Sequence, residues 1–171
     1  PQQIFAVTPA QVADLEAGKY YFNVHTPANP GGEIRGQILI NHPGPEHFAA
    51  RLTGHQETPP HAVAGRGSGS VTLNADETMI TVNLSWSGLT GPALAAHIHG
   101  PAGPGVAAPV MFPFTGVPAA TAGHIPRQSF SVTPQQVAEL ETGLLYFNIH
   151  TAAHPAGEIR GQIFRVVEGS E

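Results

Sequence analysis

The sequence predicts an all-β protein, a sandwich or barrel with one short helix in each repeating unit. Three observations lead there. Glycine and proline make up about a fifth of the 171 residues, which helical bundles and coiled coils do not carry. Apolar and polar residues alternate with the two-residue period of half-buried strands. Turn-rich stretches separate those runs at short spacing, as in sandwiches and barrels. A hydrophobic content of 41% is enough for a core, and the absence of cysteine excludes a disulfide scaffold or a cysteine-based zinc site. The glycines have no three-residue period, which excludes collagen. A near-average apolar fraction with only 11% charged residues argues against disorder.

An internal repeat sets the layout. Phe5-Ala6-Val7-Thr8-Pro9 returns 125 positions later as Phe130-Ser131-Val132-Thr133-Pro134, and the match continues to Ile38 against Ile163, with 24 of 34 aligned positions identical. Two copies of a 125-residue unit do not fit in this length. Residues 1–40 therefore read as the closing part of a preceding unit, 41–45 as a Pro/Gly linker, 46–167 as one complete unit, and 168–171 as a tail. The chain starts at Pro1 rather than Met, which points to an upstream stretch removed or left out. No signal peptide and no run of about 18 apolar residues is visible.

Taken in order, the first element is a helix. Thr8 caps it, Pro9 opens it, Gln11 answers the cap, Val12 and Leu15 give its apolar face and Gly18 ends it. Tyr20, Phe22 and Val24, then Ile34 and Ile38, are strand residues that need burial. In the complete unit Phe48, Ala50 and Leu52 alternate, as do Ile80, Val82, Leu84 and Trp86. Leu94, Ala96 and Ile98 are expected on one strand face, with His97 and His99 on the other. The second helix repeats the first: Thr133, Pro134, Gln136, Val137, Leu140, Gly143. Leu145, Phe147 and Ile149 then form an inward row opposite Tyr146, Asn148 and His150, and Ile159 and Ile163 continue the pattern.

Charge narrows the partners. With a net charge of −5 and Lys19 the only lysine, no basic stripe exists for nucleic acid or for an anionic membrane surface. The ten histidines outnumber lysine and arginine together, and histidine is the commonest metal ligand. His97 and His99 stand at i and i+2 on a strand, about 6.5–7 Å apart on one face, and two imidazoles so placed converge on one ion at about 2.0–2.1 Å per nitrogen. His150 is the leading third ligand; His55, His124 and His154 are weaker candidates. The alternative is that these histidines only hydrogen-bond neighbouring loops. A second constellation is a hairpin ladder of Asn148, His150, Glu158, Arg160 and Gln162, kept in the other copy as Asn23, His25, Glu33, Arg35 and Gln37. It reads either as a register-fixing ladder or as a partner surface. Glu57, with His55 beside it, is an accessory group expected to meet the His97/His99 face. Gly65, Gly67 and Gly69 do not form a phosphate loop, and no Gly-x-Ser-x-Gly elbow supports a hydrolase.

Several linked motifs resemble the chordin-type, or CHRD, domain. They are Leu52-Thr53-Gly54 with Glu57 and Pro59-Pro60, then Ala96-His97-Ile98-His99-Gly100-Pro101-Ala102, then Tyr146-Phe147-Asn148-Ile149-His150-Thr151 with Gly157-Glu158-Ile159-Arg160-Gly161-Gln162-Ile163. The resemblance implies a Greek-key β-sandwich or barrel and a secreted or cell-surface location. The β pattern and His-x-His are also similar, in architecture alone, to copper/zinc superoxide dismutase. The missing cysteine and incomplete ligand pattern count against that activity. Two functions follow as expectations. One is a non-enzymatic extracellular β-domain acting in assembly or protein binding, in which residues 1–40 add to the complete unit of the same chain, complete a neighbouring chain by strand exchange, self-associating into a fibre, or end a longer array. The other is a protein binding one copper or zinc ion through His97, His99 and His150.

Overall fold

The computed structural model describes residues 3–38 and 44–166. Both expected helices are present, α1 (Pro9–Glu16) and α2 (Pro134–Glu141), and both start on the same device. The Thr8 hydroxyl accepts the Gln11 amide while the Gln11 side chain accepts the Thr8 amide, and Thr133 and Gln136 do the same. This satisfies amides that a helix start leaves without partners. Each helix runs into a glycine in the left-handed region, Gly18 at φ 63° and Gly143 at φ 71°, where a Cβ would be strained. Residues 41–43 of the expected linker and the expected tail, 168–171, lie outside the described residues.

The chain divides into two units, Pro1–Pro43 and Gly44–Glu171. In the first, α1 is followed by a single hairpin, β1 (Tyr21–Val24) against β2 (Ile34–Gln37), with Asn23 opposite Arg35.

The second unit is a curled antiparallel sheet. Its strands are β3 (Glu46–Thr53), β4 (Arg66–Leu73), β5 (Met79–Ser87), β6 (Ala93–His99), β7 (Val110–Pro113), β8 (Gly123–His124), β9 (Gln128–Ser131), β10 (Tyr146–Thr151), β11 (Ile159–Gln162) and β12 (Phe164–Arg165). The order across the sheet is β7-β6-β10-β11-β3-β4-β5-β8, with β9 also on β5 and β12 on β3. After the β3-β4-β5 meander the chain crosses over to β6, on the far side of the β10–β11 hairpin, giving the Greek-key all-β architecture that the CHRD resemblance implies. The two ends of the sheet meet. Phe112 of β7 contacts Phe130 of β9, with ring centroids 5.2 Å apart, and the Gln128 side chain bonds both the amide and the carbonyl of Thr115. Inside lies one core containing Phe48, Leu52, Leu84, Ile98, Phe147, Ile149 and Ile159. Gly69 is required there: a Cβ on it would run into the Phe147 ring.

One face assignment is corrected. Leu94 is 63% exposed, while Ala93, Ala96 and Ile98 point inward. The pairing of β10 with β6 slips between His150 and Thr151, so that Thr151 faces Ala93 while His150 faces Ala95. Such a bulge breaks the two-residue alternation on one side of the slip. From Ala96 to His99 the alternation holds, and the histidine pair keeps its predicted face.

Candidate functional site

The centre of the site is a product of strand register. In the β10–β6 pair, Asn148 is opposite His97, Tyr146 opposite His99 and His150 opposite Ala95. His150 is therefore a diagonal neighbour of His97 on the same face, within reach of a long side chain. The three imidazoles converge, with ligand nitrogens all within 4.8 Å of one another, a group spaced to hold a metal ion. His97 Nδ1–H donates to His150 Nε2 at 3.1 Å, and this separation is close to the roughly 3.3 Å that two nitrogens bound to one tetrahedral ion adopt.

Two of the three rings are held by backbone carbonyls. His99 Nδ1–H donates to the Ala108 carbonyl at 2.9 Å, and His150 Nδ1–H donates to the Pro155 carbonyl at 3.0 Å. Each bond fixes a tautomer with the lone pair on Nε2, the arrangement that outer-shell acceptors impose on metal-binding histidines. His99 Nε2 is buried with no hydrogen-bond partner of its own. All three rings are held below the ordinary imidazole range, chiefly by burial, and His97 falls to about 4 with added repulsion from its two neighbours. At neutral pH the face offers uncharged nitrogen donors, the form that binds zinc or copper.

The ladder residues support this face, although not as one row. Tyr146 stacks on His99, with centroids 5.1 Å apart and planes 9° from parallel. The Arg160 guanidinium lies over the same Tyr146 ring at 3.5 Å. Arg160 also donates to the Val106 and Gly103 carbonyls, to Thr58 and to Gln162, and Gln162 donates to the carbonyls of Ala102 and Gly143. These bonds clamp the 100–109 loop, which supplies the Ala108 carbonyl to His99. Glu158 leaves the ladder. Its carboxylate accepts bonds from Thr151 and from the amide and hydroxyl of Thr90. This is a correction to the single row, and it follows from Glu158 lying just ahead of β11, where the strand no longer dictates side-chain direction.

Glu57 is buried and accepts a 3.5 Å bond from Asn148 Nδ2, which brings it to the ladder face but not into the histidine group. Burial pushes its carboxyl up to about 7, against the opposing pull of Arg160. His55 is exposed and lines a groove of about 430 Å³ beside Glu57 and Arg160. The weaker ligand candidates lie elsewhere: His154 stacks on His61 at 4.2 Å, and His124 sits in β8 opposite Ser85. Tyr146 and the Ala108 and Pro155 carbonyls were not singled out as site groups. The parity of residues 146, 148 and 150 places Tyr146 on the histidine face, but no sequence signal marks a carbonyl.

The first unit repeats part of this geometry. His25 Nδ1–H donates to the Pro30 carbonyl at 2.9 Å, Thr26 donates to Glu33, and Arg35 lies over the Tyr21 ring at 3.6 Å. Among the described residues no helix is long and apolar enough to cross a membrane.

Comparison with known proteins agrees with this division. The family model of the CHRD domain matches residues 2–38 and again residues 48–163. No curated protein and no solved structure matches the chain. With nearly its whole length matched in two stretches, the chain belongs to the CHRD domain family, whose members are extracellular-type β-domains.

Proposed function

We propose that the complete unit binds one zinc or copper ion through His97, His99 and His150, as a non-enzymatic extracellular domain. The observation that carries this reading is the convergence of three neutral imidazoles, two of them oriented by carbonyls, around the buried and unpartnered His99 Nε2. A three-histidine nitrogen set leaves further coordination positions to solvent or to a partner's side chain, and its softness suits zinc and copper over magnesium or calcium. Elemental analysis of the untagged chain, dialysed against zinc or copper, tests it. About one equivalent per chain is expected, falling to background in a His97→Ala/His99→Ala double variant. A wild-type chain with no ion above background would overturn the reading.

A second reading concerns assembly, and a separate observation favours it. Phe22, Ile34 and Val24 of the first unit are 71%, 66% and 51% exposed. An apolar hairpin with open edges is a template for further strands. Residues 3–38 are thus proposed as an assembly surface toward another polypeptide.

A further inference from the structure

We infer that residues 3–38 are the closing half of a second, split metal site, with His25 as its third ligand. The other two ligands come from a His-x-His strand on a polypeptide segment that resembles the front half of the complete unit. This rests on the metal reading proposed for His97, His99 and His150.

The complete unit supplies the template. There the β10–β11 hairpin lies between two strands, β6 beside β10 and β3 beside β11. The twin hairpin, β1–β2, has the same register, Asn23 opposite Arg35 as Asn148 is opposite Arg160. Its ligand is already oriented, since the His25–Pro30 bond of 2.9 Å matches the His150–Pro155 bond of 3.0 Å. Its turn is built alike. Gly32 at φ 120° and Gly157 at φ 137° each leave room for the asparagine across the hairpin, Asn23 or Asn148, where any Cβ would collide. In both copies that asparagine's Oδ1 is buried without a partner.

What differs is what the front half provides. Gln162 donates to the Gly143 carbonyl and, across to the front half, to Ala102. Gln37 donates to the corresponding Gly18 carbonyl and turns its second bond to the Tyr20 carbonyl of its own unit. Arg160 reaches Thr58, Gly103 and Val106, whereas Arg35 has Gln37 at 3.5 Å and the Tyr21 ring. The two side chains that reach the front half in the complete unit are thus turned to their own hairpin in the first unit.

Residues 1–171 of a second copy offer no open front half, because these residues hold one front half and two closing halves and β6 is already paired with β7 and β10. Exchange between copies would trade one closing half for the other and leave the number of open hairpins unchanged. The occupant is therefore a front half from a further unit, whether upstream in the same polypeptide or on another.

The 125-residue repeat makes the test direct. Residues 44–125 fused immediately before Pro1 join Ile125 to Pro1 as the complete unit joins Ile125 to Pro126, and covalent linkage raises the effective concentration of the front half. Zinc equivalents per chain and backbone hydrogen exchange are measured on the fused and original chains. The expected result is a doubling of bound zinc from one to two equivalents. It is accompanied by a slowing of at least ~100-fold at the amides of Tyr21–Val24 and Ile34–Gln37. A His25→Ala change in the fused chain is expected to return zinc to one equivalent while protection remains. Protection with only one equivalent would overturn His25 as a ligand, and unchanged exchange would overturn completion by a front half. If the original chain and the fused chain both bind no zinc, the reading of His97, His99 and His150 fails as well. One equivalent in each overturns this inference alone.

Discussion

Residues 5–38 and 130–163 are nearly the same sequence on nearly the same backbone path, yet Phe22 is 71% exposed and Phe147 is fully buried. The features shared by the two copies are all local. They include the capping box, the glycine after the helix, the histidine bonded to a carbonyl five residues on, the arginine over the tyrosine and the glycine beside the asparagine. Those that differ depend on residues 48–125, which only the second copy has as neighbours in its own unit. A hairpin's geometry is thus written within about 34 residues, whereas its contribution to stability depends on what it packs against.

The two copies differ most in their response to loss of the same phenylalanine. Phe147→Ala removes a ring enclosed by the core and is expected to lower stability by about 3–5 kcal/mol. Phe22→Ala, at a position where water already reaches the ring, is expected to change it by less than about 0.5 kcal/mol. Urea unfolding followed by the fluorescence of Trp86, in the core of the second unit, reads the first change, and backbone hydrogen exchange at Tyr21–Val24 reads the second. Equal losses would mean that Phe22 is buried in solution and that the two copies are in the same environment.

A smaller difference is expected at the arginines. Arg160→Ala removes the donor shared by Thr58, Gly103, Val106 and Gln162, and an effect of about 2–3 kcal/mol is expected from acceptors left without it. The same variant should weaken metal binding, because the loop that carries the Ala108 carbonyl is no longer clamped. Arg35→Ala loses an exposed contact with one aromatic ring and a long bond to Gln37, and an effect within about 0.5 kcal/mol is expected. Calorimetric unfolding and zinc titration of the two variants separate the stability effect from the binding effect.

How far the sequence reaches can be read at particular residues. Period-two alternation placed His97 and His99 on one face, and the repeat marked His150 as belonging to a folding unit. Their convergence depends on β10 pairing with β6 across about 50 positions of chain, a non-local choice that leaves no periodic trace. Leu94 departs from the face that alternation predicts because a bulge interrupts alternation without changing composition. Parity puts Glu158 in the ladder, but it says nothing about Thr90, 68 positions away, which draws its carboxylate aside. Glu57 is expected near the histidine face, but its burial leaves no trace in the sequence, since a single carboxylate in a proline-containing turn has no periodicity to show it.

Residues 3–38 hold no counterpart of Glu57, which belongs to the front half. Its folded carboxyl is raised from the ordinary 4.5 to about 7 by burial, so the folded chain holds a proton that the unfolded chain releases. The folded state binds more protons between these two values, and stability therefore falls as pH rises through them. The contribution is fully present below about pH 4.5 and is lost above about pH 7. His97 acts in the opposite sense, because its folded value lies near 4, so stability is lost as pH falls from the ordinary imidazole range toward that point. Glu57→Gln keeps the shape without the proton. In chelator-treated protein it is expected to remove a decline of about 1–2 kcal/mol between pH 5 and pH 7, leaving the acid-side loss from His97 in place. Urea midpoints measured across that range check it. A Glu57→Gln profile parallel to wild type would mean that Glu57 is ionised in the folded chain at pH 5, with its charge satisfied by Arg160. Repeated in the fused chain at the added copy of Glu57, the same substitution should remove a second pH-dependent step, because the front half brings the buried carboxyl to the first hairpin.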